Sequence, residues 1–276
     1  MTALGLVVGL DYPSLDLDVH GLLQRMKLHP FVRPLLEGGK LLEWGAKTIP
    51  EGGFLSLPSR LSGEGIVLVG DSAGFVDVPS LKGIHYAMHS GLVAARVLHR
   101  ALSRDGSCDE ALAAYDEEIR GSYVCQDLWR TRAMRLGFKR GFWRGTGAAG
   151  IATVTRGRWP RARGGVIEDA AHPREEERIA PETADRRLTF SKVDAVFHSG
   201  NNTTDDIPSH LIAPAAPPPE AVRFYSAMCP AGVYEAGSEG QLVISAPNCI
   251  DCKATDVLGP RWTPREAGSG PAYRSM

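Results

Sequence analysis

Apolar residues fall in short unbroken runs at the start of the chain, at helical spacing through its middle, and in isolated runs near its end. "LGLVVGL" (residues 4–10, closed by Asp11 and Pro13) and "GIVLVGD" (residues 65–71) are continuous Val, Ile and Leu runs, which predict buried strands. Between them, "LHPFVRPLLEGGKLLEWGAKTIPEGGF" is broken by Glu-Gly-Gly corners at Glu37 and Glu51 and reads as turns. "KGIHYAMHSGLVAARVLHRALS" repeats its apolar positions with a helical period and predicts a helix over about residues 83–103. "DEALAAYDEEIR" opens a second helical stretch, residues 109–145, with Asp109 as its N-cap. Residues 164–188 are acidic and carry two prolines, the pattern of an exposed connection. "IAPAAPPPEAVRF" then leads irregularly into a last module at residues 225–276, which holds the strand-like "QLVIS". No internal repeat is present. The fold class is mixed, α+β with α/β character.

Composition adds bounds rather than direction. The 276 residues suffice for one large or two modest domains, and 43% hydrophobic with 23% charged residues is ordinary for a globular chain. With 31 basic against 32 acidic residues, net charge points to no partner. Its distribution does: residues 129–163 carry ten Lys or Arg and no Asp or Glu, interleaved with Trp129, Phe138, Phe142, Trp143 and Trp159. A membrane surface, a nucleic acid and plain solvent all suit such a segment. No apolar run reaches about 18 residues, so no spanning helix is expected. The first apolar run lacks the basic flank of a signal peptide.

Five cysteines are too few for a disulfide scaffold, and three of them cluster late, which favours metal or redox use. Cys249 and Cys252 form a C-x2-C pair, and Cys229 is followed by Pro230, as in iron–sulfur ligand sets. The position where a fourth cysteine belongs is Thr255. Cys108 and Cys125 lie far from this set and read as ordinary thiols. Upstream, Gly70-Asp71 ends a strand and Gly83 opens a helix. An Asp there accepts hydrogen bonds from ribityl hydroxyls, and a helix N-terminus suits a phosphate or a flavin edge. An ordinary βα turn with a capping Asp has the same pattern. His85 and His89, four apart, read as helix-surface histidines rather than a metal pair.

The order strand, Gly-Asp, small-residue turn, Pro, Gly, helix resembles the second flavin motif of FAD enzymes in the glutathione-reductase structural class. The resemblance implies flavin contacts at Gly70, Asp71 and Gly83, with Ile84 beside the ring. Longer phrases narrow it: "LGLVVGLDY", "HPFVRPLLEGGK", "EGGFLSLP", "DVPSLKGIHYAMHSG", "CPAGVYE", "NCIDCKATD" and a terminal "GPAY". Together they are similar to the electron-transfer flavoprotein:ubiquinone oxidoreductase family from about residue 4 to residue 276, most weakly over 121–185. The resemblance implies an incomplete glutathione-reductase-type FAD domain followed by a ferredoxin-like iron–sulfur domain. It also implies electron transfer from reduced electron-transfer flavoprotein to ubiquinone, and monotopic attachment to a bacterial or mitochondrial inner membrane, with no nucleic acid.

On this reading residues 1–105 belong to the FAD/quinone-binding domain and 106–163 to a helical, membrane-facing segment. Residues 164–188 connect them to the iron–sulfur domain at 189–276. The G-x-G-x-x-G half of the FAD site is expected upstream or on a partner chain, and no catalytic residue is assigned. The metal ligands implied are Cys229, Cys249 and Cys252. With Thr255 in the fourth place, three outcomes stand open: a [3Fe-4S] cluster, a [4Fe-4S] cluster completed by water, Asp251 or Asp256, or loss of the cluster. Zinc on the three cysteines and a carboxylate is a further alternative. Tyr86 stands where relatives carry a small hydroxyl residue and is expected to crowd the flavin. The competing functional readings are a non-catalytic iron–sulfur or binding fragment, and a flavoprotein of the FixC or geranylgeranyl-reductase type, which would lack the module at 225–276.

Overall fold

In the computed structural model the apolar run at residues 4–10 is not a strand, and its residues are exposed or half-buried. A buried strand needs a neighbour for its N–H and C=O groups. Among the described residues only two-stranded pairs occur, and none includes this run. The residues described are 1–103, 108–139, 141–159, 166–177, 184–202, 208–266 and 269–272. The chain divides into two compact units, Met1–Thr48 with Ile167–Met276, and Ile49–Val166. The division does not follow the consecutive segments read from the sequence: residues 1–48 pack with the C-terminal module. In that N-terminal arm, α1 (Val19–Leu28) buries a polar face of His20, Gln24 and Lys27, and a short α2 (Arg33–Leu36) follows. Gln24 Oε1 accepts hydrogen bonds from Lys27 Nζ and the Phe190 N–H, both at 3.0 Å, which satisfies the buried amide.

The second unit opens with β1 (Ser62–Gly63) and β2 (Ile66–Val67), an antiparallel hairpin turning at Gly65. The strand predicted over residues 65–71 is therefore present but short, with Ile66 exposed. The predicted helix at 83–103 is α3 (Ile84–Leu102), which buries Tyr86, Ser90, Val93, Ala94 and Val97 at helical spacing. It shares a core with α4 (Cys108–Arg120) and α5 (Tyr123–Thr131) through Tyr115, Ile119, Val124 and Leu128. The α4 helix begins one residue before Asp109, so the expected cap lies inside it. Cys125 is buried there, and burial raises its thiol pKa, as suits a packing residue. α6 (Met134–Phe138) and α7 (Phe142–Val154) close into a hairpin at Gly145, where any Cβ would collide with Phe138.

Asp116 of α4 holds this unit's hairpin. Its carboxylate accepts from Leu61 N (3.0 Å), Ser62 N (3.2 Å) and Ser62 Oγ (2.6 Å). Burial pushes its pKa up, but the Ser62 and Leu61 hydrogen bonds and Arg120 outweigh it, and the net shift is downward. A carboxylate lowered on folding stabilises the native state above its unfolded pKa of about 4, and that stability is lost as pH falls through the lower folded value. Asp116→Asn is expected to destabilise the chain by about 1–3 kcal/mol at neutral pH. In urea titrations the gap should close as the pH approaches about 3.

The chain then returns to the first unit. Residues 13–15 and 175 run alongside one another, with Leu15 N to Glu175 O at 2.9 Å and Glu175 N to Pro13 O at 2.7 Å. α8 (Lys192–His198) starts in a capping box, where Ser191 Oγ accepts from Asp194 N and the Asp194 carboxylate reaches back to the Ser191 N–H. Next come β3 (Asn201–Asn202), β4 (Leu211–Ile212) and α9 (Pro219–Met228), then β5 (Tyr234–Ala236) and β6 (Leu242–Ile244). α10 (Ala254–Leu258), β7 (Arg261–Trp262) and β8 (Gly270–Pro271) complete it. The pairs β5–β6, β4–β7 and β3–β8 are all antiparallel. They fold the tail back over a core of Phe224, Met228, Val233, Tyr234, Ile250 and Leu258, with Tyr12 and Trp44 contributed by the arm. The unit is mixed, built of short helices and short strands.

Candidate functional site

The three late cysteines enter one site from two directions. Cys229 ends α9, and Pro230 stops the helix from continuing. Cys249 follows a one-turn helix after β6 and also stands at its C-cap. Between Cys249 and α10 the backbone turns left-handed twice, at Asp251 (φ 55°) and Lys253 (φ 66°). These two reversals let five residues curl around a point and deliver Thr255 to the first turn of α10, where it is 7% exposed.

Tyr234 marks the point of convergence. Burial raises its phenol pKa, the charges of Cys229, Cys249 and Cys252 raise it further, and the Thr255 hydroxyl opposes them. One buried side chain thus lies near all three cysteines and Thr255. Its hydroxyl faces Thr255 but makes no hydrogen bond of ordinary geometry. A buried phenol without a partner costs about 1–3 kcal/mol, unless a group with acceptor atoms lies among the thiols. Burial pushes the Cys249 thiol up to about 11. Cys252, half-buried as a residue, has a thiol pushed to about 12, first by burial and then by the other two sulfurs. Metal binding must displace those protons. The sulfurs are free, with no disulfide among them. They also do not lie together within 4.8 Å, as a single-ion grip requires, whereas a multi-iron cluster spans more. The residues fit an iron–sulfur cluster better than one zinc ion.

Three further residues surround Cys249. Arg265, its side chain 4% exposed, donates through Nε to Asp251 Oδ1 at 2.8 Å and through NH2 to the Cys249 carbonyl, with NH2 also 2.8 Å from the same carboxylate oxygen as an ion pair. Asp251 Oδ1 is 3.7 Å from Cys249 Sγ and 4.0 Å from His210 Nε2. His210 is buried, and its pKa falls to about 4, by burial first and then by Arg265, against Asp251. Sequence reasoning noted Asp251 as a substitute ligand. It missed His210 and Arg265, which lie outside the cysteine spacing and carry no local signal. The arm reaches the same loop: Thr48 donates from N and Oγ1 to the Cys252 carbonyl, each at 2.9 Å, and Lys47 Nζ donates to the Asp251 carbonyl at 2.9 Å.

In the other unit Gly70, Asp71, Gly83 and Ile84 come together. Gly70 has φ 56°, its N–H donates to Ser90 Oγ at 2.9 Å, and a Cβ would come within 2.9 Å of Ala87 Cβ. Only glycine fits. Asp71 is exposed and sits over the start of α3, where a side chain at Gly83 would collide with its Oδ1. Ile84 is 78% exposed beside them. Tyr86 does not crowd this edge: it turns into the core under α3. His85 and His89 pack against Tyr86 and Tyr123, with ring centroids 4.0 and 4.6 Å apart.

In the basic aromatic segment, Arg132 stacks on Trp129 at 3.6 Å and Arg130 pairs with Asp127. Phe142 and Trp143 at the start of α7 stand out, Trp143 at 83% exposure. Among the described residues no helix is long and apolar enough to cross a membrane. Arg140, Arg161 and Arg163 lie outside the described residues.

Comparison with known proteins defines the class of the cysteine unit. Residues 186–274 match the family model described as "Electron transfer flavoprotein-ubiquinone oxidoreductase, 4Fe-4S", so this is a domain of the iron–sulfur cluster type. Residues 1–49 match a second, described as "ETF-QO, ubiquinone-binding", and both matches fall almost wholly within one compact unit. Over its whole length the chain is 36% identical to the mitochondrial electron transfer flavoprotein-ubiquinone oxidoreductase of Caenorhabditis elegans and 34% identical to that of Homo sapiens. Over 99% of its length it is 36% identical to that of Arabidopsis thaliana. The chain belongs to the electron transfer flavoprotein-ubiquinone oxidoreductase family. It spans about half the length of these relatives: 50%, 49% and 45%.

Proposed function

We propose that the chain works as the C-terminal part of an electron-transfer flavoprotein:ubiquinone oxidoreductase, passing electrons from reduced electron-transfer flavoprotein to ubiquinone. The observation that carries this reading is the contact between the two matched segments. The arm similar to a ubiquinone-binding segment is hydrogen-bonded, through Thr48, to the carbonyl of Cys252. Cys229, Cys249 and Cys252 would hold the cluster, with the hydroxyls of Thr255 and Tyr234 beside that set. When bound, an iron–sulfur cluster supplies reversible one-electron transfer. The Arg265–Asp251 ion pair keeps a fixed donor on the Cys249 carbonyl.

Asp71 and the N-terminal amides of α3 provide half of an FAD site: a carboxylate for ribityl hydroxyls and N–H groups for the flavin edge. The other half must come from the segment that carries the glycine loop in relatives, on this polypeptide or on a partner chain. Ile84, Met88 and Leu92 support such a partner surface. They form an exposed apolar stripe on α3, opposite its buried face, the pattern of a helix meant to be covered on both sides. In an anaerobic preparation of the chain with that half supplied, reduced electron-transfer flavoprotein should reduce a short-chain ubiquinone. Turnover that persists in Cys229→Ala would sink the cluster's place in this reading.

The α6–α7 hairpin is the proposed membrane contact, which makes the protein peripheral and monotopic. Phe142 and Trp143 enter the head-group layer while the surrounding arginines meet anionic lipid. The double variant Phe142→Ser/Trp143→Ser is expected to weaken partitioning into anionic vesicles by at least about tenfold, from the apolar area withdrawn. Wild-type binding should also fall with added salt. Co-sedimentation unchanged by the double variant assigns membrane contact elsewhere.

A further inference from the structure

We propose that His210, Cys249 and Asp251 form a mononuclear site for a borderline-soft divalent cation of the zinc class, sharing Cys249 with the iron–sulfur ligand set. The three side chains offer one nitrogen, one sulfur and one oxygen, all within 4.8 Å of one another. Cys249 Sγ and Asp251 Oδ1 are 3.7 Å apart, and Asp251 Oδ1 and His210 Nε2 are 4.0 Å apart. A tetrahedral zinc ion with the usual bond lengths places such ligand atoms about 3.4–3.6 Å apart, so the Cys249–Asp251 edge is near its closed length and the His210 ring must move in toward the other two. His210 supplies the independent sign of a ligand: it is 4% exposed, and its Nε2 is buried without a hydrogen-bond partner. An orphaned imidazole nitrogen aimed at a thiol and a carboxylate suits a metal better than an empty interior.

The surroundings are those of a ligated carboxylate. Arg265 donates from Nε to Asp251 Oδ1 and pairs its charge with it, holding the carboxylate toward Cys249, as outer partners orient ligands in metal sites. On binding, the Cys249 thiol releases its proton to solvent. The thiolate and carboxylate then bring two negative charges to the dication, with Arg265 and Lys253 as the positive charges beside them. Three protein ligands leave the fourth position to water. Because Cys249 serves both sets, occupation by this ion and assembly of the cluster exclude one another. Divalent-metal supply would then control cluster loading.

The test uses cobalt(II) as a spectroscopic probe on the full chain, purified without iron. One equivalent should develop thiolate-to-cobalt charge-transfer absorption. His210→Gln and Asp251→Asn, each checked for folding by circular dichroism, should weaken binding by more than the roughly 100-fold that loss of an outer partner costs. Cys229→Ala and Cys252→Ala should bind cobalt as wild type does. Iron and sulfide reconstitution should show the opposite pattern, lost in those two cysteine variants and kept in His210→Gln. Cobalt binding unchanged in both His210→Gln and Asp251→Asn, lost in Cys252→Ala, or absent from wild type overturns the proposal. Failed reconstitution with intact, His210-dependent cobalt binding rejects the cluster reading and leaves this one standing.

Discussion

Thr255→Cys should raise the iron bound per chain from about three to about four. Thr255 is buried in the first turn of α10, facing the phenol that senses all three cysteine sulfurs. Its hydroxyl binds iron poorly, since soft thiolates are the preferred ligands. The nearby carboxylates have partners of their own, and neither is a thiolate. Asp251 Oδ1 holds Arg265 at 2.8 Å, beside Cys249, and Asp256 Oδ1 accepts the Trp262 N–H at 2.9 Å. On the proposed ligand set, three thiolates suit three irons, which is what the iron count tests. Cysteine nearly matches threonine in volume, so the substitution adds a ligand without reshaping the core, at a stability change of about 1 kcal/mol. Iron and sulfide analysis of anaerobically reconstituted protein checks the count. Electron paramagnetic resonance checks the cluster type: a signal in the oxidised wild type should give way, in the variant, to a signal in the reduced state. Four irons in the wild type would show that an outside ligand completes the cluster. An unchanged count in the variant would show that Thr255 does not face it.

What the sequence made legible was local. The α3 helix is readable because its buried face repeats within one segment, and the cysteine cluster because two of its members share a loop. Glycine at 70 and 83 was also readable in kind, since a tight turn and a close helix start both demand a missing side chain. The run at residues 4–10 misled because apolar continuity signals burial only where a neighbouring strand exists, and none lies beside it among the described residues. The arm's place was invisible for a different reason. Thr48 and Cys252 are 204 residues apart, and a hydrogen bond to a backbone carbonyl leaves no trace in residue type. His210 and Arg265 were hidden in the same way. Each is unremarkable in its own segment and becomes chemical only when β4 and the segment after β7 meet the cysteine loop.

The largest loss of stability is expected from Arg265→Met. Its guanidinium is almost fully buried and satisfies two acceptors, the Asp251 carboxylate and the Cys249 carbonyl. Methionine fills similar space but leaves the carboxylate without its guanidinium partner, with Cys249 Sγ at 3.7 Å and His210 Nε2 at 4.0 Å. Removing one partner of a buried ion pair costs about 3–5 kcal/mol, most of it from the charge left behind. That origin predicts its own remedy. Asp251→Asn removes the charge, keeps the shape and tolerates the left-handed backbone at this position. The double variant should therefore recover all but about 1–2 kcal/mol, the remainder being the lost hydrogen bonds to the amide and to the Cys249 carbonyl. Urea midpoints followed by tryptophan fluorescence give both numbers, and a coupling energy near zero between the two substitutions would refute the ion-pair account. Because the same guanidinium fixes the carbonyl of a ligand cysteine, the single variant should also shed iron faster to a chelator than the double variant does. A pair placed to hold Cys249 still ties the stability of this unit to the lifetime of whatever Cys249 binds.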